Sequence, residues 1–227
     1  MNSRPADLEK CMGPLWQPKL WNEINTQEYL KNTNCYSYAF NYIDYGEEKL
    51  QPGEIHGSKY KENTCDEIIQ KMKNDYVNDS IIKTTFDESL PTERYKIALF
   101  IDPDKKRKNT NDHDQDYHFY RQDCLGTWSH KPGTNDATNE DASGNAIINP
   151  ENADRNYERK CRGEGGEDCE EEHHYNKFCG YFSVPKNSVY GPVTRFIDNR
   201  SNDNNDNDNN DNDNNDNNND NNNNDNN

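Results

Sequence analysis

Apolar residues recur along this chain in two rhythms, one helical and one strand-like. The clearest helical stretch opens at Thr64-Cys-Asp-Glu67, a capping-box pattern, and continues with Cys65, Ile68, Ile69, Met72 and Tyr76 on one stripe. A shorter one begins at Asn34, whose side chain can cap a helix carrying Cys35, Ala39 and Tyr42 on one face until Gly46 stops it. Thr26 to Lys31 predicts a further short helix. Leu50-Gln-Pro-Gly-Glu54 is a turn.

The period of two begins at Ser80. Ser80–Phe86 and Tyr95–Asp102 read as strands, the second with Ile97-Ala98-Leu99-Phe100 at its centre and therefore buried on both faces. In Asp116–Gln122 the alternation sets His118, Tyr120 and Gln122 on one face and Tyr117, Phe119 and Arg121 on the other. Thr127–Pro132 returns as a second strand with Trp128 and His130 on a shared face. A three-residue loop, Asp123–Leu125, sets His118 opposite His130 with Cβ atoms about 5 Å apart, whereas a two-residue loop sends the rings to opposite faces. Gly126 suits the three-residue turn with a bulge. Thr134–His174 is polar and predicts mostly irregular structure. Lys177–Val184 is a last strand ended by Pro185, and Val189–Ile197 a closing segment.

These patterns predict an α+β fold, helices packed on one antiparallel sheet. Residues 1–13 form an N-terminal arm, 14–197 a single domain with a long polar loop at 134–174, and 198–227 a tail. After Ser201 the tail holds only Asn and Asp, so it has nothing to bury and is expected to be disordered. Removing the eight aspartates after Ser201 from the net charge of −17 leaves −9 on residues 1–201. That balance argues against nucleic acid or an anionic membrane as partner. The basic run Lys105–Lys108 is short and reads as a solvated loop. No segment has the roughly 18 apolar residues of a membrane span. The first residues, MNSRPADLEKCMG, lack an apolar signal. The seven cysteines fall without a regular framework, which predicts mostly reduced thiols and an intracellular or virion-interior location.

The candidate chemistry gathers at Cys35, His118 and His130. A thiol attacks as thiolate; a helix N-terminus and a nearby imidazolium both favour that form, and a second imidazole orients the first. A Cys opening a helix, a buried strand, then a His-bearing strand turning into another His about a dozen residues on resembles the papain-like fold in its NlpC/P60 form. The resemblance covers about Asn34 to Gly133. It implies Cys35 as nucleophile, His118 as base and His130 as orienting residue. Asn34-Cys35-Tyr36-Ser37 stands where that family usually has Asp-Cys-Ser-Gly, which puts its peptidoglycan substrate in doubt. The blocks DYHFYRQD, GTWSHKPG and NKFCGYFSVP are also similar to stretches in uncharacterised bacterial and large-virus proteins.

The function expected on this reading is a thiol hydrolase cleaving an amide or isopeptide bond in a neutral or basic substrate, without a cofactor. The alternative is a non-catalytic structural or binding protein, for instance a virion component, that keeps the fold and uses aromatic surface from Trp16, Trp21 and Trp128. On that alternative Cys35 is a small buried core residue and His118 a strand histidine satisfied by backbone. Cys161, Cys169, His173 and His174 form a third constellation. Their spacing is poor for zinc, and a solvated acidic loop or a local disulfide fits better. No phosphate loop or G-x-S-x-G elbow occurs.

Overall fold

The strand built on Ile97-Ala98-Leu99-Phe100 sits at the middle of the molecule, and the architecture follows from covering its two faces. The computed structural model describes residues 11, 13–22, 33–43, 49–57, 59–76, 80–103, 106–107, 116–133, 135–162 and 168–186. Its helices are α1 (Pro18–Asn22), α2 (Cys35–Ala39) and α3 (Cys65–Asn74), with a 3-10 turn at Glu54–His56. Its strands are β1 (Ile82–Thr84), β2 (Arg94–Asp102), β3 (Lys106–Arg107), β4 (Asp116–Gln122), β5 (Trp128–Ser129), β6 (Asn156–Arg162), β7 (Asp168–His174) and β8 (Lys177–Pro185). Five strands form one antiparallel sheet in the order β1-β8-β2-β4-β5, and β3-β7-β6 form a second antiparallel sheet. The α+β expectation holds at this level. The expected helix at Thr26–Lys31, the closing segment Val189–Ile197 and the tail lie outside the described residues.

Every residue of β2 after Arg94 is buried. Its odd positions Tyr95, Ile97, Leu99 and Ile101 join Tyr117, Phe119, Phe182 and Val184 beneath α2 and α3. Ala98 and Phe100 belong instead to a second cluster with Tyr120, Trp128 and Tyr181 on the opposite face. Two apolar faces explain why the centre of β2 is a continuous apolar run.

α3 is capped as the sequence predicts: the Thr64 side chain accepts from Glu67 N at 3.3 Å. The Glu67 carboxylate, however, turns back to the Lys61 and Glu62 amides, each at 2.7 Å. Ile68 and Met72 are fully buried. α2 is shorter than its sequence suggests, ending at Ala39 with Phe40 as C-cap. All five of its residues are buried, and Trp21 of α1 packs edge-on against Tyr38 at 4.9 Å.

Two disulfides correct the expectation of reduced thiols. Cys11 bonds Cys124 at the tip of the β4–β5 hairpin, and Cys65 of α3 bonds Cys179 of β8. Each closes a separation of more than a hundred residues, which no local spacing can reveal. At Cys179 the β2–β8 register shifts: Leu99 pairs Gly180 while Phe100 pairs Phe178. The extra residue in this bulge is Cys179, and Gly180 beside it takes φ 143, so the bulge re-aims the sulfur toward α3.

The region 134–174 also departs from expectation. Residues 135–155 are turns with short bridges, His130 to Thr138 and Glu140 to Ala146. Beyond them, β6 and β7 form a hairpin whose register sets Arg159 opposite Glu171, Lys160 opposite Glu170 and Arg162 opposite Asp168. Opposite charges across an antiparallel pair favour the sheet. Because that complementarity is between strands rather than along one, the composition reads as loop.

Candidate functional site

Asn34 builds the start of α2 from both sides. Its Oδ1 accepts from Ser37 N at 3.0 Å and its Nδ2 donates to the Leu50 carbonyl at 2.8 Å. Cys35 then enters the first turn, 6 % exposed, and its thiol donates to the Tyr117 carbonyl at 3.8 Å. Burial, followed by the charge of Asp116, pushes this thiol up to about 12. It is therefore held as S–H at neutral pH, the form that does not attack carbonyls.

The histidines come together as the alternation predicts, by a pairing register two residues from the expected one. Asp123 N bonds Thr127 O, so the three loop residues are Cys124, Leu125 and Gly126. Arg121 pairs Ser129 and Gln122 pairs Trp128. His118 and His130 thus share a face as diagonal neighbours rather than direct opposites. His118 Nε2 and His130 Nδ1 are 2.7 Å apart, with the rings edge-to-face. His130 Nε2 lies 3.0 Å from the Glu140 carbonyl, which only accepts, so Nε2 carries the proton and Nδ1 the lone pair. His118 Nε2–H is then the donor between the rings. Burial pulls both rings down, His130 to about 4 and His118 well below its ordinary value, the latter aided by His130 and His173.

The structure joins His118 and His130 by a hydrogen bond. Cys35 packs with Tyr117 and Phe119, its sulfur against the β4 backbone at the Tyr117 carbonyl and within reach of the Asp116 charge. The His118 and His130 rings sit among Tyr120, Tyr157 and Tyr175. Among the described residues, the Cys35 sulfur has no hydrogen bond to either ring. The same period of two that unites the rings sends Tyr117 and Phe119 to the opposite side.

Around His118 opens a cleft of about 170 Å³ lined by Asp116, Pro132, Tyr157, His173 and Tyr175 with it. The Tyr175 hydroxyl donates to Asp116 Oδ2 at 2.9 Å, and His173 Nδ1 lies 3.2 Å from both that hydroxyl and that carboxylate oxygen. Sequence reasoning missed Asp116, Tyr157 and Tyr175 here. The signal for Asp116 was present, since it stands two residues before His118 on one strand. Tyr157 and Tyr175 come from the hairpin region that its polarity concealed.

Of the constellation Cys161, Cys169, His173 and His174, the side chains of the two cysteines lie outside those described, and the two histidines part. Consecutive strand residues point to opposite faces: His173 turns to Asp116, while His174 bonds the Asn156 side chain at 2.9 Å and faces Glu172. Among the described residues no group of three metal-ligating side chains is assembled.

The chain is similar to the insoluble matrix shell protein 1 of Ruditapes philippinarum, with 36 % identity over 140 residues, 62 % of this chain and 80 % of that protein. No protein-family model matches, and no solved structure matches. The likeness to a matrix protein overturns the expected thiol hydrolase, in agreement with a buried thiol kept protonated at neutral pH.

Proposed function

Starting from the fact that the chain belongs to the family of the insoluble matrix shell protein 1, we propose that it is a non-catalytic structural protein of an insoluble extracellular matrix. The likeness over 80 % of that relative carries the reading. The two long-range disulfides support it, since such bonds persist in oxidising surroundings. On this reading the protein is extracellular, where the sequence alone suggests an intracellular or virion-interior location.

On the same reading the domain keeps an NlpC/P60-like core without its chemistry. A cysteine opens α2, His118 stands on β4 and His130 follows after the hairpin, the three positions of that pattern. The rings have become part of a hydrogen-bonded core in which His130 is tied to Glu140 and His118 to His130. An antibody against the folded domain tests the assignment by fractionation of the producing tissue. The chain is expected in the insoluble matrix, released by reductant with denaturant. Recovery as a soluble cytoplasmic protein overturns it.

A further inference from the structure

The cleft beside the histidine pair is rich in acceptors and ringed by aromatic surface, and no residue in its lining is a lysine or an arginine. We propose that it receives an alkylammonium group, the ε-ammonium of a lysine side chain on a partner chain. This deepens the matrix reading, and rests on it, by naming what the domain holds.

The acceptor set follows from the hydrogen-bond chain. With the Glu140 carbonyl fixing a proton on His130 Nε2, His130 Nδ1 accepts from His118 Nε2–H, so His118 Nδ1 carries a lone pair. That nitrogen has no hydrogen-bond partner among the described residues, on a residue only 2 % exposed that lines the cleft. This lone pair, on a ring otherwise enclosed, is accessible to a donor entering the cleft. Asp116, two positions earlier on β4 and so on the same face, adds negative charge at the wall.

The remaining lining suits the stem of such a group. Tyr175 stands 5.0 Å from the His118 ring and Tyr157 6.3 Å from it, with Pro132 opposite in the chain return. Aromatic faces attract cations, and a lysine stem covers apolar surface while its head stays polar. The strongly acidic chain also steers cations toward it.

An ammonium fits better than a guanidinium. A guanidinium needs a carboxylate fork, but Asp116 Oδ1 already accepts from Tyr117 N at 2.8 Å and Oδ2 from Tyr175. A compact ammonium can donate to His118 Nδ1 while Asp116, already held by Tyr117 N, Tyr175 and His173, contributes its charge at the wall. The Asp116 charge at the wall disfavours carboxylates and phosphates.

The test titrates the oxidised full-length chain at pH 8 with n-butylammonium, n-butanol and butyrate, reading the histidine ring nitrogens by long-range proton–nitrogen correlation spectra. Butylammonium is expected to shift His118 Nδ1 saturably, at a half-saturation at least tenfold lower than n-butanol, with no response to butyrate. Asp116→Asn is expected to weaken that binding at least fivefold while the His130 signals stay native. Equal response to butylammonium and butanol, no saturable shift, or unchanged binding in a folded Asp116→Asn variant overturns the proposal. If that variant loses the native spectrum, the three-ligand comparison on the unaltered chain decides. The matrix assignment is read separately by fractionation, so a chain found in the cytoplasm that still binds butylammonium would sink that assignment and not the site.

Discussion

His118 Nε2–H donates to His130 Nδ1 across 2.7 Å, two rings that burial keeps neutral and that a backbone carbonyl at Glu140 orders into one tautomeric chain. Stability must therefore depend on acid. A histidine whose folded pKa lies below its unfolded value binds fewer protons in the native state, so stability is complete above the unfolded pKa of about 6.5 and drains as pH falls. For His130 the window runs from there down to about 4, a loss on the order of 3 kcal/mol, and His118 extends it further. Asp75 runs the other way: burial lifts its carboxyl to about 6, so its contribution grows as pH falls from there toward the ordinary carboxylate range. Urea denaturation at pH 7.5, 5.5 and 4.5 is expected to show a net decline toward acid, with a shallower slope in His130→Gln.

Cys35 is expected to be unreactive in the native state. Its thiol is buried, pushed up to about 12, and engaged with the Tyr117 carbonyl. Iodoacetamide at pH 7.5, applied to the oxidised chain and followed by peptide mass spectrometry, is expected to leave Cys35 unmodified until denaturant is added. Rapid labelling of the folded chain at this position would contradict the placement described.

Arg121 is expected to dominate the stability of the hairpin base. Its guanidinium, fully buried, bonds Asp123 at 2.9 Å through Nη2 and 3.1 Å through Nε, and stacks 4.0 Å over the Tyr38 ring. Arg121→Ala strands the Asp123 carboxylate and is expected to cost about 3–5 kcal/mol. Arg121→Lys keeps charge without the planar fork and is expected to fall between. Thermal melts of the two variants give the order.

The register of β6 and β7 sets Cys161 directly opposite Cys169. Opposed residues of an antiparallel pair have Cα atoms about 4.5–5.5 Å apart, inside the roughly 4.4–6.8 Å that a disulfide spans. A third bridge is therefore expected when the chain is exposed to a disulfide donor such as oxidised glutathione, the two thiols being oxidised as the donor is reduced. Non-reducing peptide mapping should find the two cysteines in one linked peptide, with Cys35 as the thiol left over.

Features written locally were legible in the sequence. The Thr64 cap and the Ile68 to Met72 stripe mark α3, Asn34 marks α2, and the alternation of Asp116–Gln122 gives β4 its bounds and faces. The hairpin loop was misplaced by one residue because Asp123 can end the strand or start the turn, and only its bond to Thr127 decides. Long-range facts were not legible. A cysteine that opens a helix reads identically whether its sulfur meets a histidine ring or a backbone carbonyl. The hairpin of β6 and β7 was hidden because charged residues define a strand only once their partners are known.

The spans of the two disulfides overlap, Cys11 to Cys124 and Cys65 to Cys179. A protease that nicks the backbone anywhere between Cys11 and Cys179 therefore releases no fragment, because each cut falls inside at least one covalent ring. The folded body can be scarred and still stay where it was laid down.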